Sequence, residues 1–282
     1  MQKRLGIILR RNLFINGFVM TSSVLYKYLD FEGCLKMLRC HNLQFTHASR
    51  LNDPFDCHLG LINFSNVPAA KCRVWPAKLI NLMTSSRYER NWEKSWICSL
   101  SKVYDALLMW SYYCNNHRGV CVGLDIEKAD KYLSQLWNGF DIGVKKLEVQ
   151  YKDILKKPDF FHDHDNGQFF DYQLSTKAKA WEHEQEVRLL LSEPSCARVP
   201  CAEPEGLRKS EDDVIDYKEL RFYPPIGGEC FCSLYLGINM AEDKQNEILK
   251  VARWLNPEMK IYKMTVDPDA FRLKPEPIDV LE

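Results

Sequence analysis

The chain has 282 residues, enough for one large domain or two modest ones. Hydrophobic residues make up 46% and charged residues 27%, the balance of a soluble globular protein, and a formal net charge of zero excludes a global basic field directed at nucleic acid. There is no run of 18 apolar residues, so no transmembrane helix and no membrane partner is expected.

The first twenty residues, MQKRLGIILRRNLFINGFVM, carry Lys3, Arg4, Arg10 and Arg11 and no acid. Arg10 and Arg11 interrupt the apolar run of a signal peptide, and no small-residue cleavage site follows. A targeting presequence is one reading. The favoured one is a translated upstream extension with Met20 as the start, because patterned sequence begins at SSVLYKYLDFEG. Residues 1–23 are therefore expected to be an extension apart from the fold, and residues 24–282 a single α+β domain.

VLYKYL (24–29) reads as an aromatic-rich strand, and Asp30 caps a helix running to about Leu38. NLQFTHA (42–48) is a second strand, and LNDPFD (51–56) a turn. Residues 65–93 are polar and helix-prone. WICSLS (96–101) is a short strand ending in hydroxyls, and DALLMWSYYCNN a buried helix with Ala106, Met109, Trp110 and Tyr113 on one face. VCVGLD is a strand, and a helix follows from Asp125 to Trp137. KLEVQY (146–151) alternates as a strand, and FFHDHDNGQ (160–168) is a surface loop. KAKAWEHEQEVRLLLSE starts like a helix and ends like a strand. Residues 195–216 form an irregular insertion. CFCSLYLG (230–237) is a buried strand, Asn239 with Glu242 forms a capping box for a helix through Leu255, and MKIYKMTV (259–266) is the last strand. Short strands mixed with helices point to an α+β fold, with mixed, mainly antiparallel short-strand sheets and flanking helices.

The eleven cysteines include no CxxC pair; Cys230 and Cys232 form a lone CxC, and Cys196 and Cys201 flank a Pro-containing loop. That pattern has neither zinc spacing nor an even disulfide framework, and it predicts reduced thiols in a cytoplasmic protein. Nucleotide-binding glycine loops, GxSxG, HExxH and EF-hand patterns are all absent. HDHD (162–165) carries two imidazoles and two carboxylates, but a solvated loop outweighs a metal site there, and no metal is expected. His47, His58 and His117 each have an ordinary structural role open to them. In LNDPFD, Asn52 and Asp53 can bond their own following amides, so the turn is either a rigid connector or a platform presenting Asn52, Asp53 and Asp56 to a ligand.

The stretch WEHEQEVR (181–188), followed by LLL, poses the sharpest question. On a helix Glu182 would face Glu186 and Glu184 would face Arg188, one pair repulsive and one attractive. On a strand Glu182, Glu184, Glu186 and Arg188 share a face. The expectation is helix to about Trp181 and strand from about Gln185, with Glu184 and Glu186 at the entrance and Arg188 as the cation between their charges. The plain alternative is a structural Glu–Arg pair.

LYKYLDFEG, NLQFTHASRLNDPFD, ICSLS with MWSYYCNNHRGVCVGLD, and TKAKAWEHEQEVRLL together resemble successive blocks of the bacterial domain of unknown function 2971 family, over roughly residues 24 to 270. The family usually has His where this chain has Tyr112. The order of an aromatic strand (Tyr26, Tyr28), Ser99-Leu100-Ser101 at a strand end and Glu184-Gln185-Glu186 entering another strand is similar to the three-part pattern of the ADP-ribosyltransferase fold. That resemblance implies NAD as substrate. Glu186 would be the carboxylate that stabilises an oxocarbenium-like state, and Glu184 would orient or deprotonate the acceptor. Tyr26, Tyr28, Ser99, Ser101, Asn52, Asp53 and Arg188 would hold or brace the dinucleotide. Three functions follow. One is an ADP-ribosyltransferase-like enzyme modifying a macromolecular acceptor, as a toxin or phage-defence effector. The second is a non-catalytic module holding a nucleotide or partner. The third is a metal-dependent hydrolase or nuclease using Asp53, Asp56, Glu184 and Glu186.

Overall fold

A computed structural model describes residues 24–136, 144–163, 168–192, 215–216 and 220–278. The extension 1–23 and nearly all of the 195–216 insertion lie outside those residues. The chain begins with β1 (Val24–Leu29), and Asp30 caps α1 (Phe31–Cys40) by accepting the Gly33 amide at 2.7 Å. β2 (Phe45–His47), α2 (Ala77–Trp92), β3 (Ser95–Ser101) and α3 (Leu107–Tyr112) follow. Next come β4 (Val120–Asp125), α4 (Ile126–Leu136), β5 (Lys145–Glu148), β6 (Gln150–Lys152), α5 (Gln168–Ser175) and β7 (Thr176–Ala178). A 3-10 turn (Lys179–Glu184) leads into β8 (Glu186–Ser192). β9 (Ile215–Asp216), β10 (Arg221–Phe222), β11 (Phe231–Leu236), α6 (Glu242–Leu255), β12 (Lys260–Val266) and β13 (Leu273–Pro277) complete it.

The fold is α+β. Its main sheet runs β13-β12-β11-β4-β1-β3, and every ladder in it but β11–β12 is antiparallel. At β3 the sheet forks. β8 pairs with β3 along its whole length, from Ser95↔Ser192 to Ser101↔Glu186, and β5 pairs with β8 beyond it. On the opposite edge of β3, β1 pairs only at Tyr26↔Ser101, while β2 pairs at Thr46↔Ile97 and His47↔Trp96 and leads on to β10 and β9. The edge between these two contacts, around Cys98–Leu100, has no strand partner among the described residues.

Alternation along the strands sorts the side chains onto two faces. Leu25, Cys98, Leu100, Val122, Val187, Leu189 and Leu234 face α1, α4 and α6, and make the main core. Tyr28, Cys121 and Tyr235 face the other way and pack with Met109, Trp110 and Cys114 in and after α3. Ser99, Ser101, Glu186 and Arg188 share this second face. That places hydroxyls and charges where the sheet is covered by loops and a short helix.

Several elements differ from the sequence reading. KLEVQY divides: Lys145–Glu148 joins the main sheet and Gln150–Lys152 pairs with β7 in a separate two-stranded parallel sheet. Helix α3 is one and a half turns long, because Asn115, Asn116 and His117 take left-handed φ of 46°, 53° and 64° and turn the chain back. Asn239 makes no capping box. Ala241 occupies the N-cap of α6, and the Asn239 amide donates to Asn116 O instead. MKIYKMTV is followed by one more strand, β13. Among the described residues no helix is long and apolar enough to cross a membrane, and the nine cysteines described are all free thiols.

Candidate functional site

The fork in the sheet opens a cleft of about 120 Å³ on the second face. β1 supplies Tyr26, Lys27 and Tyr28, β3 supplies Ser99 and Ser101, and α3 supplies Met109 with Tyr113 just after it. Asn52 and Asp56 reach it from the LNDPFD turn; Lys177 comes from β7, Glu184 from the 3-10 turn after it and Glu186 from the start of β8. Alternation would send Lys27 to the face opposite Tyr26 and Tyr28. The unpaired edge of β3 leaves room for it to cross, and its ammonium donates to Ser99 O at 2.9 Å inside the cleft.

Beneath the cleft lies a buried net of charges. Arg188, fully buried, uses all five of its N–H groups. Nε and Nη2 donate to Glu186 Oε1 and Oε2 at 2.9 and 3.1 Å, Nη1 and Nη2 donate to Asp56 Oδ1 and Oδ2 at 2.8 and 2.6 Å, and Nη1 also donates to Leu174 O at 2.8 Å. Lys177, also buried, donates to Glu184 Oε2 at 2.5 Å and Glu186 Oε2 at 3.1 Å, with Asp56 Oδ2 at 3.8 Å. Its ammonium lies 5.0 Å from the centre of the Trp181 ring. Burial alone would raise the Glu186 pKa; the charges of Arg188 and Lys177, with hydrogen bonds from Arg188 and Ser99, overcome it and hold the carboxyl at about 2. Burial alone would lower Lys177, but the charges of Glu186, Glu184 and Asp56 hold it above the usual lysine value. Glu186 and Lys177 are thus both charged at neutral pH.

The two glutamates are not equivalent. An ionised carboxylate offers about four acceptor positions. Glu186 has donors at all of them: Arg188 twice, Lys177 once and the Ser99 hydroxyl. Its backbone N–H is also held, by Tyr151 Oη at 2.8 Å, and burial pushes that phenol up to about 12. Among the described residues Glu184 has two donors, Lys177 on Oε2 and the Tyr113 hydroxyl on Oε1 at 2.6 Å, leaving acceptor capacity toward the cleft.

The other residues singled out from sequence take varied places. Tyr26 lines the cleft and meets Tyr104 and Tyr235 edge-on at 5.4 and 5.9 Å, beside a stacked series in which Tyr235 lies between Tyr104 at 4.5 Å and Tyr262 at 4.9 Å. Tyr28 touches the cleft but is a core aromatic, 6% exposed, packed on Trp110, with its hydroxyl donated to Val103 O at 2.9 Å. Ser101 Oγ donates to Glu184 O at 2.7 Å and accepts the Val103 amide, tying two chain segments together. Asn52 faces the cleft and donates to Tyr113 Oη at 3.3 Å. Asp53 does not line the cleft; its Oδ1 accepts the Phe55 amide and closes the turn.

One expectation is corrected. Arg188 does not stand between Glu184 and Glu186; Lys177 does. The strand begins only at Glu186, and Gln185 takes a left-handed φ of 44°, so Glu184 ends a 3-10 turn and leaves the alternation of β8. Period two holds for Glu186 and Arg188 alone, while Glu182 points to solvent. Lys27, Tyr113 and Lys177 were not anticipated as site residues. The available signal was a lysine ahead of two closely spaced acids.

Among the described residues no group of three or more His, Cys, Asp or Glu has the arrangement of a metal site. Asp56, Glu184 and Glu186 converge on the Lys177 ammonium and the Arg188 guanidinium, the positions a bridging cation would need. Of HDHD, His162 bonds Asp159 at 3.2 Å and residues 164–167 lie outside the described residues.

Residues 109–189 match the family described as "Protein of unknown function (DUF2971)". No curated protein and no solved structure gives a match. The DUF2971 segment runs from α3 to the middle of β8 and carries Tyr113, Lys177, Glu184, Glu186 and Arg188. Tyr26, Lys27, Asn52, Asp56, Ser99 and Ser101 precede that segment and complete the cleft from β1, the LNDPFD turn and β3.

Proposed function

We propose that this cleft cleaves NAD at the nicotinamide–ribose bond and transfers ADP-ribose to a macromolecular acceptor. The observation that carries the reading is the alignment of Tyr26, Ser101 and Glu186 side by side on β1, β3 and β8, with Ser99 bonded to Glu186 on the same face. Had the hydroxyls and the acids faced opposite sides of the sheet, the likeness to ADP-ribosyltransferases would have no footing. It remains a likeness of motif.

In this reading the bond between nicotinamide nitrogen and ribose C1′ breaks with its electron pair going to nicotinamide, and positive charge develops on the ribose. Glu186, immobile and ionised, contributes a fixed negative charge to that transition state. Glu184, with open acceptor positions, contacts the ribose hydroxyls and takes the proton of the attacking acceptor. Lys27 makes one hydrogen bond and has no carboxylate within ion-pair distance among the described residues, so it has donors left for the diphosphate. The cleft holds the reacting end, and the edge of Tyr26 leads toward the tyrosine stack for the nucleobase.

A second reading, a nucleotide-holding module without turnover, is favoured by the saturation of Glu186. Incubation of the purified protein with NAD labelled in the ADP-ribose part separates the two. Nicotinamide release, with label moving to protein, DNA or RNA, is expected for wild type, reduced at least about a hundredfold in Glu184→Gln and Glu186→Gln. ADP-ribose binding by calorimetry without release supports the module, and neither binding nor release overturns both.

A further inference from the structure

The LNDPFD turn touches the site twice, and the two contacts differ in kind. Asp56 locks Arg188 under the cleft. Asn52 reaches the mouth, where its Nδ2 donates to Tyr113 Oη at 3.3 Å and the same hydroxyl donates to Glu184 Oε1 at 2.6 Å. The turn is stiff: Asp53 Oδ1 accepts the Phe55 amide at 2.9 Å, and the Asp56 amide donates to Asp53 O at 3.0 Å around Pro54. Tyr113 is stiff too, because it caps α3 with its amide on Met109 O at 3.0 Å. Glu184 is therefore gripped between two supports that cannot follow it, Tyr113 on one oxygen and Lys177, itself shared with Glu186, on the other.

A phenol has a single proton to give. An amide N–H presented to its oxygen leaves that proton pointing at the carboxylate. We propose that Asn52 and Tyr113 are positioning residues that hold the open acceptor positions of Glu184 toward the substrate, with Asn52 acting only by fixing the direction of the Tyr113 hydroxyl. This rests on the reading of the cleft as an NAD-cleaving site. It gives the LNDPFD turn a role in the chemistry beyond that of a connector.

The direction of the hydroxyl supplies a test that packing does not mimic. Asn52→Asp keeps shape but replaces a donor with an acceptor that competes for the phenol proton. In nicotinamide release from NAD, Tyr113→Phe should lower kcat about tenfold with KM within about twofold, the loss of one hydrogen bond to a charged group. Asn52→Asp should approach that loss, and Asn52→Ala should lose only about threefold. Adding Asn52→Asp to Tyr113→Phe should cost nothing more. Additive losses, or losses confined to KM, overturn the proposal.

If wild type releases no nicotinamide, the NAD reading falls by itself, and the grip on Glu184 is decided without turnover. Fluorotyrosine is incorporated biosynthetically, and the Tyr113 fluorine resonance is assigned by its loss in Tyr113→Phe. Glu184→Gln should lower the titration midpoint of that resonance and Asn52→Ala should raise it, because the carboxylate disfavours the phenolate and the amide favours it. A midpoint indifferent to both substitutions overturns the grip.

Discussion

Arg188 grips Asp56 through two parallel hydrogen bonds, Nη1 to Oδ1 at 2.8 Å and Nη2 to Oδ2 at 2.6 Å, across 132 positions of sequence. The pair fastens the LNDPFD turn to β8 and so fixes one wall of the cleft. Both side chains are essentially excluded from water. Removing Asp56 leaves two of the buried Arg188 N–H groups without their acceptor, which costs more than the pair is worth. Asp56→Ala should therefore destabilise the fold by about 3–5 kcal/mol. Glu186 remains as a partner of Arg188, so the protein should still fold at low temperature. Urea denaturation of Asp56→Ala checks this; adding Arg188→Met should cost further stability, because it strips buried Glu186 of two of its donors.

Acid should weaken the fold through Glu186. Its folded pKa, about 2, lies below its usual 4.5, and the unfolded chain restores the usual value. A depressed carboxyl contributes stability that is fully present above the unfolded pKa and is lost as pH falls through the folded one. The window is therefore about pH 5 down to pH 2, and the contribution is roughly 3 kcal/mol at neutral pH. Lys177 works in the other direction: its raised pKa contributes stability that is lost only in strong alkali. Denaturation free energies measured from pH 7 to pH 3 should fall for wild type and fall less steeply for Glu186→Gln. Parallel slopes would remove Glu186 as the source.

Much of this site could be read from sequence because it obeys period two. Glu186 and Arg188 precede an aliphatic run, and Ser99 and Ser101 end a strand, so their common face follows from alternation once the strands pair. The α+β class followed in the same way from short alternating segments broken by capped helices. What could not be read depends on departures from regularity. Lys177 lies in TKAKAW, which patterns as helix, and it reaches the acids only because a three-residue strand and a 3-10 turn reverse the chain there. Lys27 belongs by alternation to the wrong face and enters the cleft through a gap that only the fork explains. Tyr113 sits just past a helix that three consecutive left-handed residues, Asn115, Asn116 and His117, cut short; each type tolerates that conformation, but a run of three is not dictated by the helical pattern before it.

Lys27 offers a clean separation of ligand binding from stability. Its one hydrogen bond is to a carbonyl, and it is only partly buried. Lys27→Met keeps most of the aliphatic stem and removes the charge. ADP-ribose affinity should fall about tenfold or more, the worth of a charge-assisted bond to phosphate, while the urea midpoint shifts little. Raising the salt concentration should weaken binding to wild type more than to Lys27→Met. Calorimetric titration at two ionic strengths measures both effects, and equal affinities in the two proteins would place the diphosphate elsewhere.

Gly123 makes room for Tyr26. The two residues are directly paired across β1 and β4, and a Cβ at Gly123 would come within 3.3 Å of the Tyr26 ring at Cε1 and of Val24 Cγ1, and would collide with Ser233 Oγ. The constraint is one of space, so it has a spatial remedy. Gly123→Ala should destabilise the fold by about 1–3 kcal/mol, as overpacking does, and should tilt the Tyr26 ring out of its edge-on contacts. Ser233→Ala removes the most severe collision. The double variant should therefore recover at least half of the lost stability, with the 3.3 Å contacts remaining. If the two substitutions instead add, the hydroxyl of Ser233 is not what excludes a side chain from position 123, and the site of strain lies in the β1–β4 backbone.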